Sequence, residues 1–355
     1  MADEEVLTER LLRVIDEGRR TATYKLALLI ALMDRVAATP GVETIRTRAI
    51  ASEVLARYFT QSRTYVTGDG VGHELRQITM KGSPPLRAAH QLREAGKAAG
   101  CRTIEEVQRR LPEVYDDALH VVEDTFVRYP IPLLQVVGAN LVPFLYEPDW
   151  AEQTSARTLR REGRDVVRLL PGVADRLIVL GPLMRPLIEM HWARDVARWN
   201  GVATEDDRLR AHLFGSDRTT FPKLLRDGLA DLQQGKCFYC GEALQKRREV
   251  DHFLAWSRWP NDAIENLVLA DRCNTAKSDH LAATVHLQRW VERLRRQNTD
   301  LRRLAEDQRW TTDPDRTKGL VTSTYAHVAA GTPLWTHGSQ FEFATGPIAL
   351  GELDG

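Results

Sequence analysis

The stretch from Cys237 to His280 constrains this chain more than any other, reading KCFYCG, then EVDHFLAWSRWPND, then ENLVLA, then DRCNTAKSDHL. A short β-prone run ends on Asp251 and His252, a second apolar run follows Asn266, and helical character begins near Asn274 and Lys277. Two strands and a helix would bring these polar side chains together. Their chemistry suits one task. Cleaving a phosphodiester needs a nucleophilic water, a base to deprotonate it, and a cation to offset charge building on the phosphate and the leaving oxygen. The Asp251 carboxylate and the Asn274 amide oxygen are hard oxygen ligands of the kind that hold Mg²⁺ or Mn²⁺. Adjacent residues on a strand face opposite sides, so Asp251 can hold the metal while His252 reaches a water on the substrate side. An imidazole with a pKa of about 6.5 suits a general base at neutral pH.

These motifs resemble the HNH, or ββα-metal, endonuclease superfamily. The resemblance implies that Asp251 is a metal ligand and His252 the general base. It implies that Asn266 pins the loop between strand and helix through side-chain to backbone hydrogen bonds, and that Asn274 is the second metal ligand. A similar N-x-x-K-S-D string occurs in the HNH domain of RNA-guided CRISPR nucleases, which supports Asn at this position and implies that Lys277 lies near substrate phosphate. The implied products carry a 5′-phosphate and a 3′-hydroxyl. Wider features, YKLALL near the start, MHWARDV, FG-x-x-R before the cysteines and HLQRW after them, look like bacterial HNH proteins of the restriction or phage-defence kind.

Cys237 and Cys240 have zinc-knuckle spacing, and Cys273 offers a third thiolate for a structural Zn²⁺. The second knuckle is incomplete, because Ala270 stands three residues before Cys273. Asp271 or His280 could complete the shell; otherwise the thiols pack as small buried side chains, as expected for the isolated Cys101. His280, His286, His327 and His337 have no convincing ligand spacing.

With only four cysteines, three of them inside the motif, there is no disulfide framework, and the acidic start MADEE lacks the basic and apolar regions of a signal peptide. A cytoplasmic protein is expected. The apolar runs PIPLLQVVGANLVPFLY and RLIVLGPLMRPLIEM are short or interrupted, so no membrane contact is expected. Formal net charge is zero, so any grip on DNA phosphates must come from a local patch. HLQRWVERLRRQNTDLRRLAEDQRW offers one, with Arg289, Arg293 and Arg296 as candidate nucleic-acid contacts beside Lys277. The same helix can instead be a solvated face with Leu287, Trp290 and Leu294 turned inward.

Upstream, helical spacing marks residues 5–17, 22–38 and IRTRAIASEVLARYF, then 85–99 and 103–128. The first helices before SRTYVT suit either a helix-turn-helix reader or plain core packing. YVTGDGVGHELRQ reads as a loop or hairpin, and DVVRLLPGVADRLIVLGPLMRPLIEMHWARDVARWNG as two strand-like runs before a long helix with core Trp192 and Trp199. Beyond Trp310 the chain reads as irregular, with a small strand or two. The expected fold is mainly α with a small ββα-metal nuclease domain, α+β overall. It divides into 1–150 (helical; recognition, partner or regulation), 151–235 (connector), 236–285 (nuclease) and 286–355 (Arg-rich helix and tail).

The expected activity is metal-dependent hydrolysis of DNA, in restriction or antiphage defence, with DNA as partner and room for a homodimer or a defence-system protein. The alternatives are a non-catalytic nucleic-acid-binding or scaffold protein with the same fold and a mobile-element (homing) nuclease.

Overall fold

The computed structural model describes residues 2–16, 20–67, 70–78, 82–137, 140–150, 154–202, 207–215, 220–245 and 248–353. Residues 68 and 69 of the glycine-rich segment and residues 216–218 of the FG-x-x-R string lie outside them. Helices dominate, and the sheets are small. The chain forms two compact units, Met1–Val36 with Gly41–Gly215 and Ala37–Pro40 with Ser216–Gly355.

The first unit is built around the helix Tyr24–Ala38, whose residues Leu26 to Met33 are all buried. A helix apolar around its whole circumference has no face to give to water, so it becomes the centre of a bundle. The one acid along its buried length, Asp34, is matched by the guanidinium groups of Arg57 and Arg185. The helix Thr47–Gln61 packs against Pro84–Ala98 and Pro112–Arg128. Local signals set the helix starts. Ser83 accepts from the Leu86 amide just ahead of Pro84 and Pro85, and Thr103 accepts from the Glu106 amide, each satisfying an orphan donor of a first turn. The expected 103–128 helix is two, Ile104–Arg110 and Pro112–Arg128, because Pro112 starts a new one. Tyr65–Val66 and Gly72–His73 pair as the hairpin expected of the glycine-rich segment.

One expectation fails here. Val166–Arg168 is a strand, pairing with Thr44–Arg46, but RLIVLGPLM belongs to the helix Val173–Asn200. A short apolar β-branched run does not by itself distinguish strand from buried helix, and Pro182 and Pro186 are accommodated inside the helix. Trp192 and Trp199 are buried as expected.

In the second unit, Glu249–His252 pairs antiparallel with Leu267–Ala270 in the register Glu249↔Ala270 to His252↔Leu267. All four residues of the second strand are buried, the pattern of a strand covered on both faces. Leu225 and Leu229 of the helix Lys223–Leu232, with Leu301 and Ala305 of the helix Thr284–Gln308, share a core with Val250, Leu267 and Leu269. The short helix Arg272–Lys277 follows directly, so two strands and a helix succeed one another as the motif demands. Beyond Trp310 the chain is more regular than expected. A helix spans Pro314–Ala326, capped by Asp313 accepting from the Arg316 amide with Pro at the first position, a local start signal that DPDR carries. A hairpin of Pro333–His337 and Gln340–Phe343 then adds Leu281–Ala282 in parallel.

Candidate active site and metal cluster

The knuckle is closed by a tight turn in which the Gly241 amide donates to the Cys237 carbonyl at 3.0 Å and the Cys237 amide to Glu242. Gly241 has φ +75°, a left-handed conformation that glycine adopts without the Cβ penalty. Across from it, Asp271 caps the helix Arg272–Lys277 and so brings Cys273 into its first turn. Ligand atoms of Cys237, Cys240, Asp271 and Cys273 all lie within 4.8 Å of one another. Burial and the neighbouring thiols push the Cys273 thiol up, and burial does the same to Cys237. A divalent cation reverses that balance by compensating the clustered thiolates. Three sulfurs and one carboxylate oxygen are a donor set that fits Zn²⁺. Asp271 thus stands where a fourth cysteine is missing. His280 packs instead edge-on against Phe341, with ring centroids 4.8 Å apart.

The Asp251–His252 pair ends the first strand, and the two side chains have separate surroundings. Asp251, 7% exposed, accepts from the Tyr239 hydroxyl and pairs with the Lys277 ammonium at 3.1 Å. Burial and the Asp251 carboxylate hold the Tyr239 hydroxyl well above its usual range, so it stays protonated and donates. On the other side, His252 Nε2 lies 2.8 Å from Asp262 Oδ1, and its ring is flanked by Phe221 and Trp256. Neither Tyr239 nor Asp262 stood out in the sequence. The signals were present but short, an aromatic inside the knuckle and an acid four residues before Asn266.

The Asn266 side chain bonds to the loop between the two strands rather than to one between strand and helix. Its Oδ1 accepts from the Leu254 amide at 2.8 Å, and its Nδ2 donates to the carbonyls of Leu254 and Asn261 at 3.0 Å each. Asn266 itself has zero exposure and both partner residues are buried, so the loop between the strands is pinned from inside. Asn274 donates its Nδ2 to Glu249 Oε2 at 3.0 Å, which leaves its Oδ1 as an acceptor. Glu249 and Asp251 alternate with Val250 and so share a strand face. The oxygen donors Asp251 and Asn274 fit a hard divalent cation in kind, with Glu249 beside them.

Lys277 is not where the resemblance implied. It is fully buried, donates to the His252 carbonyl at 2.9 Å, and serves as the countercharge of Asp251 rather than as a surface contact for phosphate. The arginines divide similarly. Arg293 is 7% exposed and donates to the carbonyls of Glu265 and Leu267, with burial lowering its guanidinium to about 10. Arg289 donates to the carbonyls of Phe238 and Tyr239, tying the long helix to the knuckle. Arg296 presents its side chain to solvent and pairs with Glu292 of the previous turn, and Arg289 is exposed as well despite its two carbonyl partners. The inward Leu287 and Trp290 are buried.

Residues 237–283 match a family model described as HNH endonuclease. The match covers the knuckle, both strands and the short helix, and supports a nuclease in this part of the chain. No curated protein and no solved structure matches. Among the described residues no helix is long and apolar enough to cross a membrane.

Proposed function

We propose that this chain is a divalent-cation-dependent endonuclease that hydrolyses DNA phosphodiester bonds with His252 as general base. The observation that carries this reading is the joint placement of Asp251 and His252 at one strand end, with Asn266 pinning the loop beneath them. Asp262 accepting from Nε2 leaves Nδ1 of His252 to take a proton from water. The hydroxide attacks phosphorus, the bond to the 3′-oxygen breaks, and that oxygen leaves as a hydroxyl once protonated, with the phosphate on the 5′ side. A Mg²⁺ or Mn²⁺ ion held by Asp251 and Asn274 supplies positive charge for the phosphate and leaving oxygen. Zn²⁺ on Cys237, Cys240, Asp271 and Cys273 has a structural part, joining the knuckle to the start of the short helix.

The setting we assign is restriction or antiphage defence, on the strength of a nuclease segment attached to a large helical unit. The net charge of zero counts against a homing nuclease, which needs an extended basic surface. One observation favours a second reading, a non-catalytic nucleic-acid-binding module with the same fold: the Asp251 carboxylate already engages Tyr239 and Lys277.

Cleavage of supercoiled plasmid separates the two. The catalytic reading expects nicking with Mg²⁺ or Mn²⁺ that EDTA stops and that His252→Ala abolishes while the protein stays folded. Undiminished cleavage by that variant would sink the assignment of the base, and a wild type that binds DNA without cutting it would favour the second reading.

A further inference from the structure

The helix Val173–Asn200 is inverted in polarity along its middle. A helix at the surface of a bundle ordinarily turns apolar residues inward and charged ones outward. Between Leu177 and Ala193 the charged residues are Arg185 and Glu189, and both are buried. Arg185 pairs with Asp34, and Glu189 with Arg210. The other side of the same stretch is apolar and open to water. Val179 is 55% exposed, Leu183 70%, Leu187 37% and Met190 51%, with Pro186 exposed among them. At about 100° per residue these positions form one stripe. It runs opposite the face of Leu177, Ile188 and Trp192, which are buried in the first unit. At about 1.5 Å per residue the stripe is about 16 Å long. Scattered apolar residues are ordinary at a surface, whereas a continuous patch marks a contact.

The stripe is close to symmetric along the helix. Val179 and Met190 lie equally far from the midpoint between Met184 and Arg185, as do Pro182 and Leu187, and Leu183 and Pro186. A two-fold interface between identical copies requires this arrangement, since residue i must meet j as j meets i. The charges just beyond the stripe follow the same symmetry with opposite sign: Asp175 and Arg194, both exposed, flank it at equal distances. Laid antiparallel on a second copy, the helix brings Asp175 of each chain to Arg194 of the other. The two residues lie about 50° to either side of the centre of the stripe, so these pairs cross the interface diagonally, within the length of an arginine side chain. Arg194 Nη2 is 2.9 Å from His191 Nδ1, and a guanidinium has further donors to spare. A parallel pairing would set like charge on like.

We propose that this stripe is the contact surface of a homodimer, formed by antiparallel packing of the helix Val173–Asn200 on its counterpart in a second copy. One helix pair buries less than the roughly 1,600 Å² of a standard interface, so the dimer is expected in the micromolar range. With one nuclease site per chain, as proposed above, a dimer supplies one site for each DNA strand.

The test is sedimentation of the full-length protein over a range of micromolar concentrations, without DNA or added metal. The wild type should pass from monomer to dimer as concentration rises. Leu183→Glu places a charge at the centre of the contact from both copies and should weaken association by about tenfold or more. Asp175→Arg and Arg194→Asp each turn two attractions into two repulsions and should weaken it by about tenfold. The double variant restores opposite charge in both pairs and should recover most of the loss. All four substitutions are at exposed positions, and circular dichroism confirms that each variant is folded. A wild type that stays monomeric throughout overturns the proposal and leaves the stripe to a different protein. So does a dimer that Leu183→Glu leaves unchanged, or a double charge reversal that associates no better than the single ones. None of these outcomes depends on plasmid cleavage, so the nuclease reading stands or falls separately.

Discussion

Replacing Lys277 by methionine keeps the length of the side chain and removes its charge from the interior of the nuclease segment. In the structure the ammonium is fully buried and sits 3.1 Å from an Asp251 side chain that is 9% exposed. At an effective dielectric of about 20, a pair at that separation attracts by about 5 kcal/mol. Removing one partner of a buried pair costs about 3–5 kcal/mol, since the other charge is left uncompensated. Tyr239 still donates to Asp251 in the variant, which places the expected loss toward the lower end, near ~3 kcal/mol. Hydrogen exchange read by mass spectrometry on peptides spanning Glu249–Ala270 reports this unit by itself. Its opening free energy should fall by that amount, and Asp251→Asn in the same background should restore part of it by removing the stranded charge. A surface lysine that touches phosphate behaves in the opposite way: its loss leaves exchange unchanged and lowers the salt dependence of DNA binding. Parent-like protection in Lys277→Met would therefore refute the countercharge role.

Metal analysis of the purified protein should find one zinc per chain, and Asp271→Ala or Cys273→Ser should each lower its retention during dialysis against a chelator; a folded preparation without zinc removes the assignment. Asn266→Ala deletes three buried hydrogen bonds and strands the Leu254 amide, so the second unit should lose about 2–4 kcal/mol, at roughly 1 kcal/mol per bond plus the unsatisfied donor; a thermal shift of less than a degree would contradict this. Arg293→Met should destabilise while leaving the salt dependence of DNA binding unchanged. Arg296→Ala should change stability by less than about 0.5 kcal/mol, and a lowered salt slope for DNA binding would mark it as a phosphate contact.

The nuclease segment was legible because its information is local. The spacing of Asp251, His252, Asn266 and Asn274 depends on two short strands and a turn, and the structure delivers that order. The helices 24–38, 47–61 and 84–98 were legible for the same reason, since apolar periodicity and caps such as Ser83 act within a few residues. RLIVLGPLM was not, because its composition suits a strand and only burial against the rest of the first unit makes it helix. The helix Pro314–Ala326 carries its start signal in the sequence, in the Asp313 cap and Pro314 at the first position.

What the sequence determined by itself was therefore the kind of chemistry this chain is equipped for and the local elements that carry it, because ligand types, strand alternation and helix caps are set by residues close together in the chain. Tertiary structure alone decided which charges are available. Lys277, Arg289 and Arg293 look alike as cations in sequence, yet one is spent on Asp251 and two on backbone carbonyls. It also chose Asp271 over His280 beside the thiols. Desolvation and pairing depend on what surrounds a group in space, and the partners that supply them arrive from distant parts of the chain.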